Sequence, residues 1–244
     1  MQVYAVTNCG LVRKENQDYY DTMCRKDGIL GVVCDGMGGA KSGNIASQLA
    51  SEVFMEEISH SDWSEPVRTL NHALGVANEA VHRRAHTDPD CSGMGTTLVA
   101  AWAQKDGRCV IINIGDSRAY LIQSSGISQI TRDHSLVSEL VALGKISPEA
   151  ARSHPNKNII TRALGTDRNA NGDLFEVDVE PGDYLLLCSD GLSNMVTDQE
   201  MLYEALYGGA NATCCDRLLE IALNRGAPDN VTAVLICTGD DDTE

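Results

Sequence analysis

Basic residues are scarce in this chain: 19 Lys and Arg stand against 35 Asp and Glu, a formal net charge of −16. Binding a nucleic-acid backbone requires Lys/Arg surfaces, so the balance argues against a nucleic-acid partner, and equally against polybasic contact with a membrane. No apolar run approaches the roughly 20 residues needed to span a bilayer. The opening segment, MQVYAVTNCG, has neither a basic stretch nor a long apolar one, so secretion is not expected. Cys-x-x-Cys pairs are missing too. The nine cysteines, at 9, 24, 34, 91, 109, 188, 214, 215 and 237, are odd in number, and several sit in apolar runs. They read as small core residues in a reducing, cytoplasmic compartment, not as a disulfide framework or a zinc site. Low-complexity linkers and internal repeats are absent, and only the acidic segment Gly239–Glu244 is expected to be disordered.

What is present is a series of short apolar or β-branched runs between turn residues. Gln2–Val6, Ile29–Cys34, Thr96–Ala101, Arg108–Ile114, Arg118–Ile122, Tyr184–Cys188 and Val231–Cys237 read as strands. Helical spacing marks about 43–59, with Ile45, Leu49, Val53 and Phe54 on one face. It also marks about 66–86, with Leu70, Leu74, Ala77 and Val81. Shorter helices are expected at 136–143, 198–206 and 211–224. Two successive long helices, followed by strands without helices between them, favour an α+β fold with antiparallel sheets over a parallel βαβ arrangement.

The aspartates carry the chemistry. Asp35, Asp116 and Asp190 each end an apolar strand, and Asp229 immediately precedes the last one; Gly follows both Asp35 and Asp190. Strands ending in this way can gather their carboxylates at one sheet edge, where glycine allows a tight turn and close backbone approach. Carboxylates so crowded repel and raise one another's pKa unless a cation balances them. Oxygen-only ligands select Mg²⁺, Mn²⁺ or Ca²⁺ over zinc or copper. A single aspartate in a turn needs no such explanation; four in this pattern point to a metal site.

Other motifs compete. Gly36–Gly43 lies between a strand and a helix, where a nucleotide-binding loop would sit, but Asp35 and Ala40 occupy the positions where glycines are required. Asp167–Asp178 follows the calcium-loop pattern at Asp167, Asn169, Asn171 and Gly172, yet ends in Asp178 instead of a bidentate Glu. It is read as a polar surface loop. The six histidines are read as offering no ligand pair, and His134 as a loop histidine with a hydrogen-bonded partner. No Gly-x-Ser-x-Gly elbow is present, so a nucleophilic side chain is poorly supported.

Seven short motifs occur in one order along the chain: Arg13-Lys14-Glu15-Asn16-Gln17-Asp18, Asp35-Gly36-Met37-Gly38-Gly39, Gly95-Thr96-Thr97, Gly115-Asp116-Ser117-Arg118, Ile160-Thr161-Arg162-Ala163-Leu164-Gly165, Ser189-Asp190-Gly191-Leu192 and Asp229-Asn230. In these the chain resembles the protein phosphatase 2C family of metal-dependent Ser/Thr phosphatases, in its compact bacterial form. The resemblance implies an α+β four-layer sandwich of two antiparallel sheets flanked by helices, with residues 1–238 as the catalytic domain. It implies two Mn²⁺ or Mg²⁺ ions bridged by Asp35. The Gly36 carbonyl would bind one ion, and Asp190 and Asp229 the other. Asp18 would orient metal-bound water, Asp116 with Asp190 would form a third metal position, and Arg13 would grip the substrate phosphate. Residues 135–162 match a variable flap beside the active site that gates peptide access. The implied partners are phosphoproteins, among them a bacterial Ser/Thr kinase, acted on by a monomer. Two positions depart from the animal enzymes. Met37 replaces a histidine proposed as general acid, and Gln17 replaces a glutamate near the metals. A rival reading is a non-catalytic phosphoprotein-binding module on the same fold; the full set of acidic residues argues against it.

Overall fold

The computed structural model describes residues 1–38, 42–61, 63–152 and 154–239. Residues 240–244, most of the segment expected to be disordered, lie outside the described residues, as does Ala40 of the 36–43 stretch. The strands are β1 (Gln2–Asn8), β2 (Asp18–Arg25), β3 (Gly28–Met37), β4 (Gly95–Thr96), β5 (Leu98–Gln104), β6 (Arg108–Ile114), β7 (Arg118–Gln123), β8 (Gly126–Gln129), β9 (Asp173–Asp178), β10 (Tyr184–Cys188) and β11 (Val231–Cys237). The helices are α1 (Gly43–Ser59), α2 (Pro66–Thr87), α3 (Leu136–Ala142), α4 (Pro148–Arg152), α5 (Asp190–Ser193), α6 (Asp198–Leu206) and α7 (Cys214–Asn224).

Two antiparallel sheets stack face to face. One has the order β1-β11-β10-β7-β8; the other runs β2-β3-β5-β6-β9, with β4 paired to the end of β3. Between them lies a core of Val33, Val99, Ile111, Leu185, Leu187, Val234 and Ile236. The outer face of the second sheet is covered by α1 and α2. Ala46, Ala50, Phe54 and Ile58 recur every fourth residue on α1, while Leu70, Leu74, Ala77 and Val81 follow the 3.6 period on α2; all eight are buried. On the first sheet, α6 and α7 bury Met201, Ala205, Leu218 and Ala222 against Leu186, Ala233 and Leu235. The result is the helix–sheet–sheet–helix sandwich that the resemblance implied. Thr197 and Glu200 close α6 with a reciprocal capping box. Among the described residues, no helix is long and apolar enough to cross a membrane.

Three strands escape the sequence reading. β2, β8 and β9 each lie at a sheet edge and are partly exposed. Strand β9 also corrects the reading of 167–178. Its second half is not surface loop but strand paired with β6 from Arg108↔Asp178 to Asn113↔Asp173, which leaves no ligand loop for calcium.

The topology sets up one rim. Strands β3 and β6 both run antiparallel to β5, so their C-terminal ends emerge on the same side. In the other sheet β10 is antiparallel to β11, so the end of β10 lies beside the start of β11. Asp35, Asp116, Asp190 and Asp229 occupy those four ends. Cutting the inter-sheet core tests the packing account. Leu187→Ala is expected to cost about 3 kcal/mol of unfolding free energy, measured by urea denaturation. Tyr203→Ala, on the exposed face of α6, is expected to change it by less than about 0.5 kcal/mol.

Candidate metal centre

Asp35 is held by its backbone. Its N–H donates to Thr97 Oγ1 at 2.9 Å; its carbonyl accepts from Thr97 N and from Thr96 Oγ1, both at 2.9 Å. Thr97 Oγ1 in turn lies 2.7 Å from Ser117 Oγ, beside Asp116. The Gly95-Thr96-Thr97 and Gly115-Asp116-Ser117 motifs are thus one clamp that ties the ends of β3 and β6 together. Gly36 must be glycine: a Cβ there would lie 2.0 Å from the Gly43 carbonyl oxygen and 2.7 Å from that of Gln17. Gly191 is constrained in the same way, with the Asn230 carbonyl oxygen 1.8 Å from where its Cβ would be. Both glycines let two backbones approach next to an aspartate.

Asp18 pairs in register with Asp35 across β2 and β3. It reaches the other sheet, where its Oδ2 accepts from Ser189 Oγ and Thr232 Oγ1, each at 2.7 Å. Its Oδ1 is buried without a hydrogen-bond partner among the described residues, as is Oδ1 of Asp116. Asp190 accepts from Asn194 Nδ2 at 3.1 Å. Asp229 accepts from Asn230 N at 2.9 Å and from Arg13 Nη2 at 2.7 Å. Buried Asn230 fixes the loop that carries Arg13. It donates to the carbonyls of Cys9 and Glu15 and accepts from Gln17 N.

The five carboxylates feel one another. Burial holds Asp35 well above the ordinary carboxylate range, and Asp18, Asp190, Asp116 and Asp229 raise it further. Asp18 is pushed up to about 7 by burial, against the pull of its two hydroxyl donors and with added repulsion from Asp190 and Asp229. Asp116 is pushed up to about 7 by burial, Asp190 and Asp133. Asp190 rises to about 6 through burial and Asp229, with Arg118 opposing. Arg118 is itself committed to Asp133, with Nε at 3.0 Å from Oδ1 and Nη2 at 2.7 Å from Oδ2.

Every predicted site residue therefore falls on this rim. The sequence reading gave no role to Ser189, quoted only within its motif, or to Thr232, the hydroxyls that grip Asp18, nor to Asp133, which occupies Arg118. Polar residues at strand ends beside an acidic motif were the available signal. His134 behaves as expected. Its Nδ1 accepts from Gly115 N at 3.1 Å, so Nε2–H donates to Asp173 Oδ2 at 3.1 Å, and burial lowers its pKa. The reading that the histidines lack ligand spacing is corrected: His82 and His86 are four residues apart on α2.

The donor set suits a hard divalent ion. It is all oxygen, and among carboxylates that repel it holds two buried oxygens with no hydrogen-bond partner among the described residues. Among the described residues, no three acidic, histidine or cysteine side chains already converge as a ready-made cage. The carboxylates line the rim individually, with Asp229 drawn to Arg13.

With a chelator present, stability is expected to fall as pH rises from about 4 to about 7. In that window the folded carboxyls, with raised pKa values, hold protons that the unfolded chain has released, so each further rise in pH favours unfolding. The isosteric Asp18→Asn should flatten this slope and stabilise the chelated protein at pH 7.5 by roughly 2 kcal/mol. Melting temperature against pH checks both; a pH-independent melting temperature would contradict them.

A sequence profile of the protein phosphatase 2C family matches residues 12–217. The chain is 39% identical over 235 residues to the serine/threonine phosphatase stp of Listeria welshimeri, covering 94% of this chain and 93% of that one. It is 36% identical to the protein phosphatase PhpP of Streptococcus pneumoniae over the whole of both chains. The crystal structure of the catalytic domain of the serine/threonine protein phosphatase PstP, in complex with two manganese ions, superposes with a TM-score of 0.85 at 35% identity, covering 96% of each chain. With these matches, and with its motifs gathered on one rim of a two-sheet sandwich, the chain belongs to the protein phosphatase 2C family.

Proposed function

We propose that this protein hydrolyses phosphoserine and phosphothreonine in proteins, with Mn²⁺ or Mg²⁺ as its cofactor. The observation that carries the reading is the rim itself: five aspartates, two of them with buried oxygens that have no hydrogen-bond partner among the described residues, and Arg13 beside Asp229. Asp35, the Gly36 carbonyl, Asp190 and Asp229 would hold two ions, and Asp116 with Asp190 a third. When bound, such ions acidify a water and offset charge on the phosphoryl oxygens.

The chain's own groups do the rest. Asp18 Oδ1 is the free acceptor that orients the attacking water, while Ser189 and Thr232 keep the other oxygen occupied. Arg13 is about half exposed and commits one of its five donors to Asp229, which leaves the others for the phosphate. Its guanidinium can meet two phosphoryl oxygens at once, which an ammonium cannot. Met37 has no proton to give, so the leaving serine oxygen takes its proton from water or from another group.

A cleft of about 630 Å³ adjoins the rim and reaches from Asp116 and Asp190 to Val137, Val141 and Lys157 of the 135–162 segment. That segment is anchored at its root, where Leu136 N donates to Ile159 O and Thr161 N to His134 O. It supports the reading of residues 135–162 as the flap beside the substrate, within a catalytic domain of residues 1–238. All nine cysteines are free and seven are buried, which fits a reducing cytoplasm. A monomer opposing a Ser/Thr kinase completes the proposal.

Phosphate release from a phosphothreonine peptide tests it. Release with Mn²⁺ is expected to stop with EDTA and to drop at least about 100-fold in Asp190→Asn. Arg13→Ala should lose about 10- to 100-fold in kcat/KM, with Arg13→Lys recovering only part. No release by folded, Mn²⁺-loaded protein across several phosphopeptides would sink the catalytic reading.

A further inference from the structure

On the flank of α2, beside Arg168 and Asn169, the last two turns carry half-buried His82 and exposed His86, one helical turn apart. Their rings lie 4.0 Å apart between centroids and are tilted by 30°. His86 Nδ1 sits 2.8 Å from the His82 carbonyl oxygen. A carbonyl only accepts, so Nδ1 carries the proton and Nε2 keeps its lone pair. The ring is therefore both oriented and set in the ligating tautomer by a backbone group, the arrangement that supports metal-binding imidazoles.

Both histidines face a groove of about 510 Å³, which also includes Glu79, Arg83 and Arg168. The far wall of this groove is fixed. Buried Asn78 donates to the carbonyls of Asp167 and Arg168, both at 3.1 Å, and accepts from Gly165 N at 2.8 Å. Glu79 stands three residues before His82, on the same helix face.

We propose that His82 and His86 form a second metal site, separate from the aspartate rim, which takes a borderline transition ion such as Zn²⁺, Ni²⁺ or Cu²⁺ in preference to Mg²⁺ or Mn²⁺. Imidazole nitrogen suits the former ions and oxygen the latter, so the two sites divide metals by chemistry. Two imidazoles four residues apart on a helix can share one ion. Among the described residues no third acidic, histidine or cysteine side chain converges with them, so the remaining coordination positions open to the groove. Arg83 and Arg168 oppose a bare dication there, so the affinity is modest.

Zn²⁺ titration of the full chain, in saturating Mg²⁺ and followed by imidazole NMR, tests the site. The signals of His82 and His86 are expected to shift together and saturate, while those of His60 and His154 stay in place. His82→Ala should weaken the shift of His86 by about tenfold or more in apparent affinity, and His86→Ala should do the same for His82. His86 is exposed and half-buried His82 lies outside the hydrophobic core, so circular dichroism of each variant should match the parent. Unmoved His82 and His86 signals, or single variants that bind as tightly as the parent, would overturn the proposal. The readout involves no phosphate hydrolysis, so this site and the catalytic reading stand or fall separately.

Discussion

Mutual repulsion among five carboxylates is the constraint on which the rest of this structure depends. Asp18, Asp35, Asp116, Asp190 and Asp229 come from both sheets and meet on one rim, where burial and proximity raise four of them above the ordinary carboxylate range. Such crowding opposes folding unless protons or cations balance it. The fold tolerates the crowding because a framework of neutral hydrogen bonds holds the backbones in place. Thr96, Thr97 and Ser117 lock the strand ends under Asp35 and Asp116, and Ser189 and Thr232 join the two sheets through Asp18. The clamps use hydroxyls, which add no charge to the cluster.

The same framework separates fixed groups from adjustable ones. Asp18 is buried and gripped at one oxygen, so its other oxygen has a defined direction. Arg13, about half exposed, sits on a loop held by Asn230 and touches the cluster only through Asp229. Under the proposed function, Arg13 at the rim would meet the phosphate and Asp18 inside would orient water. Met37, next to Gly36, carries no proton to donate.

Much of this was legible in the sequence, and the gaps have physical causes. Buried central strands such as β5, β6, β10 and β11 announce themselves as apolar runs. The edge strands β2, β8 and β9 do not, because partial exposure dilutes the apolar pattern. For β9 the dilution was enough to make Asp173–Asp178 look like part of a polar loop. The aspartates were legible because each ends an apolar run, and the order of the motifs identified the family. Ser189, Thr232 and Asp133 were not, because their importance lies in contacts such as that between Thr232 and Asp18, 214 positions apart. The His82–His86 spacing stands in the sequence but the sequence reading overlooked it, and its set tautomer required the structure.

The central claim is that this rim exists to hold divalent cations. Calorimetric titration of Mn²⁺ into the chelator-stripped protein tests it most directly, with Asp35→Asn as the comparison. At least two ions are expected to bind per chain, with loss of the tight sites when the Asp35 carboxylate becomes an amide. Absence of Mn²⁺ binding, or binding by Asp35→Asn with unchanged number and affinity, would contradict it.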